Sequence, residues 1–174
     1  MMRKQSSVWG STIILVLFAG SFFMPGRAVA QNNVSGQLTM SYTQMDSMAV
    51  RDAAGHNVSL NRSEGDNVSI GETMFMNNAH TVNLDYNDLE MGSGPHQGYL
   101  TFTQGDDKVI VKWRGKVTTT MSDEKTPIIS FAGTFEFVFG SGKYKGISGD
   151  GTYNGQSISK SKYTVDWEGQ YTLK

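Results

Sequence analysis

Cysteine is absent from all 174 residues. That removes a disulfide framework, a lipid-modified cysteine and a thiolate nucleophile in one stroke, and leaves no sulfur ligand for a zinc set. Histidine occurs 3 times, at scattered positions 56, 80 and 96, with no pair spaced to put two imidazoles on one helical face. No Gly-x-Ser-x-Gly is present, so covalent catalysis has no recognisable nucleophile. No segment after residue 30 carries the 3.6-residue apolar period of a helix. Fold stability must come from a packed core built on strands.

The N-terminus differs from the rest. Arg3 and Lys4 precede an apolar stretch from Ile13 to Met24, and Ala28-Val29-Ala30 has the small-x-small pattern of a signal-peptide cleavage site. The apolar stretch is shorter than the roughly 20 residues of a membrane span and contains Gly20 and Ser21. The expectation is a signal peptide over 1–30, cleaved after Ala30, and one domain over 31–174 that is exported to a periplasm or secreted, with no membrane span after processing. Losing Arg3, Lys4 and Arg27 leaves 12 basic against 16 acidic side chains, a net charge of about −4. That balance argues against a nucleic-acid partner.

Period-two alternation runs through the remaining chain. Leu38, Met40 and Tyr42 alternate with Thr39, Ser41 and Thr43, and Val58 and Leu60 with Ser59 and Asn61. Val68 and Ile70 precede Gly71, which reads as a bulge. Val82, Leu84 and Tyr86 share a face, as do Leu100 and Phe102. Val109, Val111 and Trp113 oppose the charged stripe Lys112, Arg114 and Lys116. Phe131, Gly133, Phe135, Phe137 and Phe139 fall on one parity, and Tyr163, Val165, Trp167, Tyr171 and Leu173 close the chain. Polar turns such as Gly105-Asp106-Asp107 separate these runs. Eight or nine short strands with one apolar face each must stack as a sandwich or close as a barrel, and closure removes the unpaired edges.

The glycine cluster Gly140-Ser141-Gly142-Lys143 is not a phosphate cradle. A P-loop needs four residues between its glycines and a Ser or Thr after the lysine, whereas Tyr144 follows here; the dinucleotide fingerprint fails as well, because three residues rather than two precede Gly146. Asp85-Tyr86-Asn87-Asp88 supplies oxygen ligands without the glycine and distal glutamate of a calcium loop, and reads as a strand ending in a polar turn. Neither a cofactor nor a metal is expected.

Three segments, GYLTFTQGDDKVIVKWRG at 98–115, FAGTFEFVFGSGKYKGISGDGTYNG at 131–155 and DWEGQYTL at 166–173, together resemble the bacterial branch of the allene oxide cyclase-like barrels, the fold shared with plant dirigent proteins. The resemblance spans about Gly36 to Leu173. It implies an all-β fold, a single small antiparallel β-barrel of about eight strands with an apolar lumen, and activities of cyclisation or stereochemical control. The lumen glutamate of the cyclases finds no matching local motif at Glu64, Glu72 or Glu136, so no catalytic residue carries over.

Polar groups that share parity with apolar neighbours are the candidate site, since a charge in a closed lumen must be paired, solvated or functional. On that ground Tyr42, Arg62 and His80 join Trp113, Phe137, Trp167 and Tyr171 as expected ligand-binding residues. The expected function is an exported barrel that holds a small apolar or amphipathic molecule in its lumen. A cyclase or isomerase that positions a flexible unsaturated substrate, and a structural barrel with a filled interior, are the alternatives. Homo-oligomerisation stays open.

Overall fold

The computed structural model describes residues 31–174; the expected signal peptide lies outside the described residues. Eight strands follow one another in a simple meander: β1 (Asn32–Ala49), β2 (His56–Ile70), β3 (His80–Glu90), β4 (Gly94–Gln104), β5 (Asp107–Met121), β6 (Pro127–Ser141), β7 (Ile147–Ser157) and β8 (Lys162–Leu173). Each pairs antiparallel with the next, and β8 returns to β1 with Asn32 opposite Tyr171 and Ser41 opposite Lys162, closing the barrel. A single 3-10 turn, Gly142–Tyr144, is the one helical element among the described residues, and no helix among them is long and apolar enough to cross a membrane.

The expected alternation holds on five strands. Leu38 and Met40 on β1, Leu100 and Phe102 on β4, Val109 and Val111 on β5, Phe135 and Phe137 on β6 and Tyr163, Val165, Trp167 and Tyr171 on β8 are buried, and Tyr153 on the glycine-rich β7 joins them. These side chains form one aromatic-rich core, each contributing about 1.5–3 kcal/mol on burial.

Two register shifts interrupt the ladder, and neither is at Gly71. One sets Thr43 as an extra residue between Tyr42, paired with Ser63, and Gln44, paired with Arg62. The other places Val138 between Phe137, opposite Val111, and Phe139, opposite Ile110. An extra residue reverses which face the following side chains take. Phe139, read as inward from its parity, is therefore exposed beside Val138. Gly71 instead ends β2 with a φ of 92°, a left-handed conformation that glycine adopts without strain.

β2 and β3 break the pattern in the opposite sense. Their apolar faces point outward, with Leu60 and Leu84 exposed, while Asn61, Ser63, Asn67 and Ser69 on β2 and Thr81, Asn83, Asp85 and Asn87 on β3 are buried. Two of the eight staves thus line the interior with polar groups.

The β2–β3 connection, residues 71–79, folds into one end of the barrel. Phe75 and Met76 are 1% and 0% exposed, and the Phe75 ring lies 5.0 Å from Tyr144, 5.4 Å from Tyr171, 5.6 Å from Phe137 and 5.8 Å from Trp167. Asn67 ties this plug down, donating to the Phe75 and Met76 carbonyls at 3.1 and 2.9 Å while accepting from Trp167 Nε1 at 3.0 Å. The Tyr144 hydroxyl accepts from the Met76 backbone N–H at 3.2 Å. One end of the barrel is sealed by aromatic packing.

Candidate functional site

Above the plug the barrel holds a cavity of about 280 Å³ that reaches from Phe75 up to Met45, Leu89, Ile129, Ser159 and Lys160 at the opposite end. That end carries exposed Met45, Met48, Met91, Met121, Ile128 and Ile158, so the mouth is rimmed by flexible apolar side chains. The wall on the β4–β6 and β8 side is apolar, with Leu100, Phe102, Val111, Phe135, Phe137, Val165 and Trp167 facing the space.

The wall on the β2–β3 side is polar, and its residues sit directly opposite one another: Asn61 against Asp85, Ser63 against Asn83, and Ser59 against Asn87. Asp85 is the focus. Its Oδ1 accepts from Asn61 Nδ2 at 2.8 Å and from Asn87 Nδ2 at 2.6 Å, and its Oδ2 from Asn83 Nδ2 at 3.0 Å. A carboxylate only accepts, so each amide turns its N–H2 toward Asp85. Asn83 then presents its oxygen to Trp113 Nε1, 2.9 Å away, and Asn61 Oδ1 is left buried with no hydrogen-bond partner among the described residues. Burial holds the Asp85 carboxyl above the usual carboxylate range, against the pull of the Asn61 and Asn87 amides.

Aromatic groups close around this carboxylate. Trp113 crosses Gly98, where a Cβ would lie 2.7 Å from Trp113 Cζ2 and 3.0 Å from Asp85 Cα; absence of a side chain at Gly98 is what lets the indole lie beside Asp85. The Tyr42 and Tyr163 rings are 5.2 Å apart, and the Tyr163 hydroxyl meets Ser63 Oγ at 2.5 Å. Burial, then the Asp85 charge, pushes the Tyr42 phenol up to about 12. Burial also raises Tyr163 and Tyr153. His96 stacks edge-on against Trp113 at 4.8 Å and contacts the Tyr153 hydroxyl through Nε2 at 3.0 Å. Desolvation pushes its imidazole down to about 4, so it is neutral at pH 7.

Of the residues expected from sequence, Tyr42, Trp113, Phe137 and Trp167 line the cavity. Tyr171 does not: it is packed in the sealed end against Phe75, Phe137 and Tyr144. Arg62 and His80 are corrected more sharply. Both stand outside the barrel, where Arg62 Nη2 lies 2.8 Å from Glu64 Oε1 and His80 Nε2 lies 3.5 Å from Glu64 Oε2. They share parity with Val58 and Leu60 and with Val82 and Leu84, and on these two strands the apolar parity is the outer one.

Sequence reasoning missed Asp85, its three asparagines, His96, Tyr153 and Phe75. The Asp85–Asp88 run, read as a strand end, lies inside β3. The legible signal was a polar stripe of period two, Ser59-x-Asn61-x-Ser63 followed by Asn83-x-Asp85-x-Asn87, repeated on consecutive strands. Among the described residues no cluster of three or more His, Asp or Glu side chains is placed to hold a metal ion. No family model matches the chain and no curated protein matches it.

Proposed function

We propose that this protein is a small-molecule carrier that holds one amphipathic molecule in the barrel lumen, apolar body against the β4–β6 and β8 wall and polar group against the β2–β3 wall. The observation that carries this reading is the division of one mouth-accessible cavity into an aromatic side and a polar side lined by Asn61, Asn83, Asp85 and Asn87, with the unpartnered acceptor Asn61 Oδ1 buried in that polar wall. Binding pockets have this composition: mostly apolar lining with a few placed polar groups. The apolar rim offers such a molecule a low-polarity approach. Export, suggested by Arg3, Lys4 and the Ala28-Val29-Ala30 pattern, would place the carrier in a periplasm or outside the cell.

A second reading is a cyclase or isomerase, as the family resemblance implies. What favours it is the presence of Asp85, neutral His96 and the Tyr42, Tyr153 and Tyr163 hydroxyls around one cavity, a set able to position a substrate and move a proton. A filled structural barrel is disfavoured by the open space itself.

Native mass spectrometry of protein purified from its own host tests the first reading. A retained small molecule, released on unfolding and quenching tryptophan emission when added back, supports it. An adduct-free spectrum, together with no change in emission or melting temperature across a broad apolar panel, sinks it.

A further inference from the structure

We propose that the molecule held in the lumen is an organic cation, an amine with an apolar body, recognised by Asp85 and Asn61 within a partial aromatic cage. The inference rests on the carrier reading above and narrows it to a ligand class.

The argument starts from what the lumen lacks. Among the described residues lining the cavity, Asp85 is the one acidic side chain, Lys160 stands at the rim, and His96 is kept neutral by burial. The Asp85 side chain is thus buried without a cationic partner; its residue is 7% exposed. Three amide donors stabilise the ionised form, but hydrogen bonds from neutral groups do not neutralise a charge withdrawn from water. Oδ1 accepts two of these bonds and Oδ2 one, so Oδ2 keeps capacity for another donor.

The second free group has the same polarity. Asn61 is 8% exposed, its amide N–H2 is committed to Asp85, and its Oδ1 lies unpartnered. The site's unmet demand is therefore for donors. A carboxylate ligand would bring further acceptors and a second negative charge against Asp85. An ammonium brings N–H donors and the missing positive charge together.

The surroundings suit the same class. Trp113 lies beside Asp85 across Gly98, and Tyr42 and Tyr163 lie close enough for the Asp85 charge to act on their phenols. Faces of Trp and Tyr attract a desolvated cation. The opposite wall has the aromatic and branched side chains that an apolar body needs.

A matched series tests this: 4-phenylbutylamine, 4-phenylbutan-1-ol and 4-phenylbutyrate, titrated at pH 7 against the emission of the full domain and against its melting temperature. The expected order is amine first, with affinity about ten-fold or more above the alcohol, as one charge-assisted contact supplies, and butyrate last. In Asp85→Asn the amine should lose its advantage over the alcohol while the alcohol still binds. On the unmodified protein, the carboxyl carbon of Asp85 should shift in a nuclear magnetic resonance titration with the amine and not with the alcohol, a readout that does not require the variant to fold. Alcohol or butyrate binding as tightly as the amine overturns the cation assignment and leaves the carrier reading standing. Failure of all three overturns the cation assignment, and joined to an adduct-free native mass spectrum and a silent apolar panel it overturns the carrier reading as well.

Discussion

Asn61 lies directly across the β2–β3 ladder from Asp85 and donates its amide to that carboxylate at 2.8 Å, which strands its own oxygen. A native fold tolerates few buried polar atoms without partners, and each costs about 1–3 kcal/mol. Replacing Asn61 by leucine removes the stranded acceptor and also one donor to Asp85. We expect that variant to remain folded and to lose affinity for an amine ligand several-fold. Unchanged affinity in the same emission titration would show that Asn61 takes no part in binding.

Gly98 governs the position of Trp113. In Gly98→Ala the new methyl meets Trp113 Cζ2 and the backbone of β3, including the Leu84 carbonyl, so the indole must leave its place beside Asp85. The expected result is a shifted tryptophan emission maximum, loss of the Trp113 to Asn83 hydrogen bond and a weaker amine complex. A variant spectrum superimposable on the parent, in both emission and near-ultraviolet circular dichroism, would count against this arrangement.

The plug and the bulge make a paired stability test. Phe75→Ala deletes a ring surrounded by five others and should cost about 3–5 kcal/mol; Phe137→Ala, on the wall of the same cluster, should cost as much. Phe139→Ala, turned outward by the extra residue Val138, should stay within about 0.5 kcal/mol of the parent. Urea midpoints decide the matter. Equal losses at 137 and 139 would mean that the strand carries no bulge.

Acid sensitivity follows from His96. Its folded pKa of about 4 lies below the usual value near 6.5, so between these limits the unfolded chain binds a proton that the folded chain refuses. Stability is then complete above pH 6.5 and falls as the pH drops toward 4, by roughly 3 kcal/mol at most. His56 has the opposite sign: the Asp88 and Asp52 carboxylates raise it, so its contribution is present below pH 6.5 and fades as the pH climbs through its folded value. Comparing parent and His96→Gln at pH 7 and pH 4.5 isolates the buried histidine. The parent should lose more stability on acidification than the variant; parallel losses would contradict the burial argument.

Outside the barrel, Arg62 pairs with Glu64 on an exposed surface, where such a bridge contributes about 0–1 kcal/mol. Arg62→Gln should leave lumen binding of every ligand unchanged, whatever the ligand's charge. A selective loss for one ligand would return Arg62 to the site.

The barrel was legible in the sequence wherever burial and hydrophobicity agree. On β5 the Val109, Val111 and Trp113 stripe faces in and Lys112, Arg114 and Lys116 face out, and β8 keeps the same simple order. The candidate site was legible only on its apolar side. On β2 and β3 hydrophobicity points the wrong way, because Ser59, Asn61, Ser63, Asn83, Asp85 and Asn87 are satisfied mainly by one another. Single-strand alternation carries no information about such cross-strand satisfaction; only the register that sets Asn61 against Asp85 reveals it. The plug was hidden for a related reason, since Phe75 and Met76 sit in a connection with no period and are buried by the end of a barrel that the local sequence does not describe.

Because Phe75 and Met76 stopper the barrel at one end, the lumen is a blind shaft rather than a through-channel. Whatever occupies it, solvent included, must arrive and depart by the methionine-rimmed opening, so exchange is obligatorily sequential: the occupant leaves before its successor descends. A competitor in solution can prevent rebinding but cannot push from behind, and the dwell time of any occupant is set by its own hold on the walls.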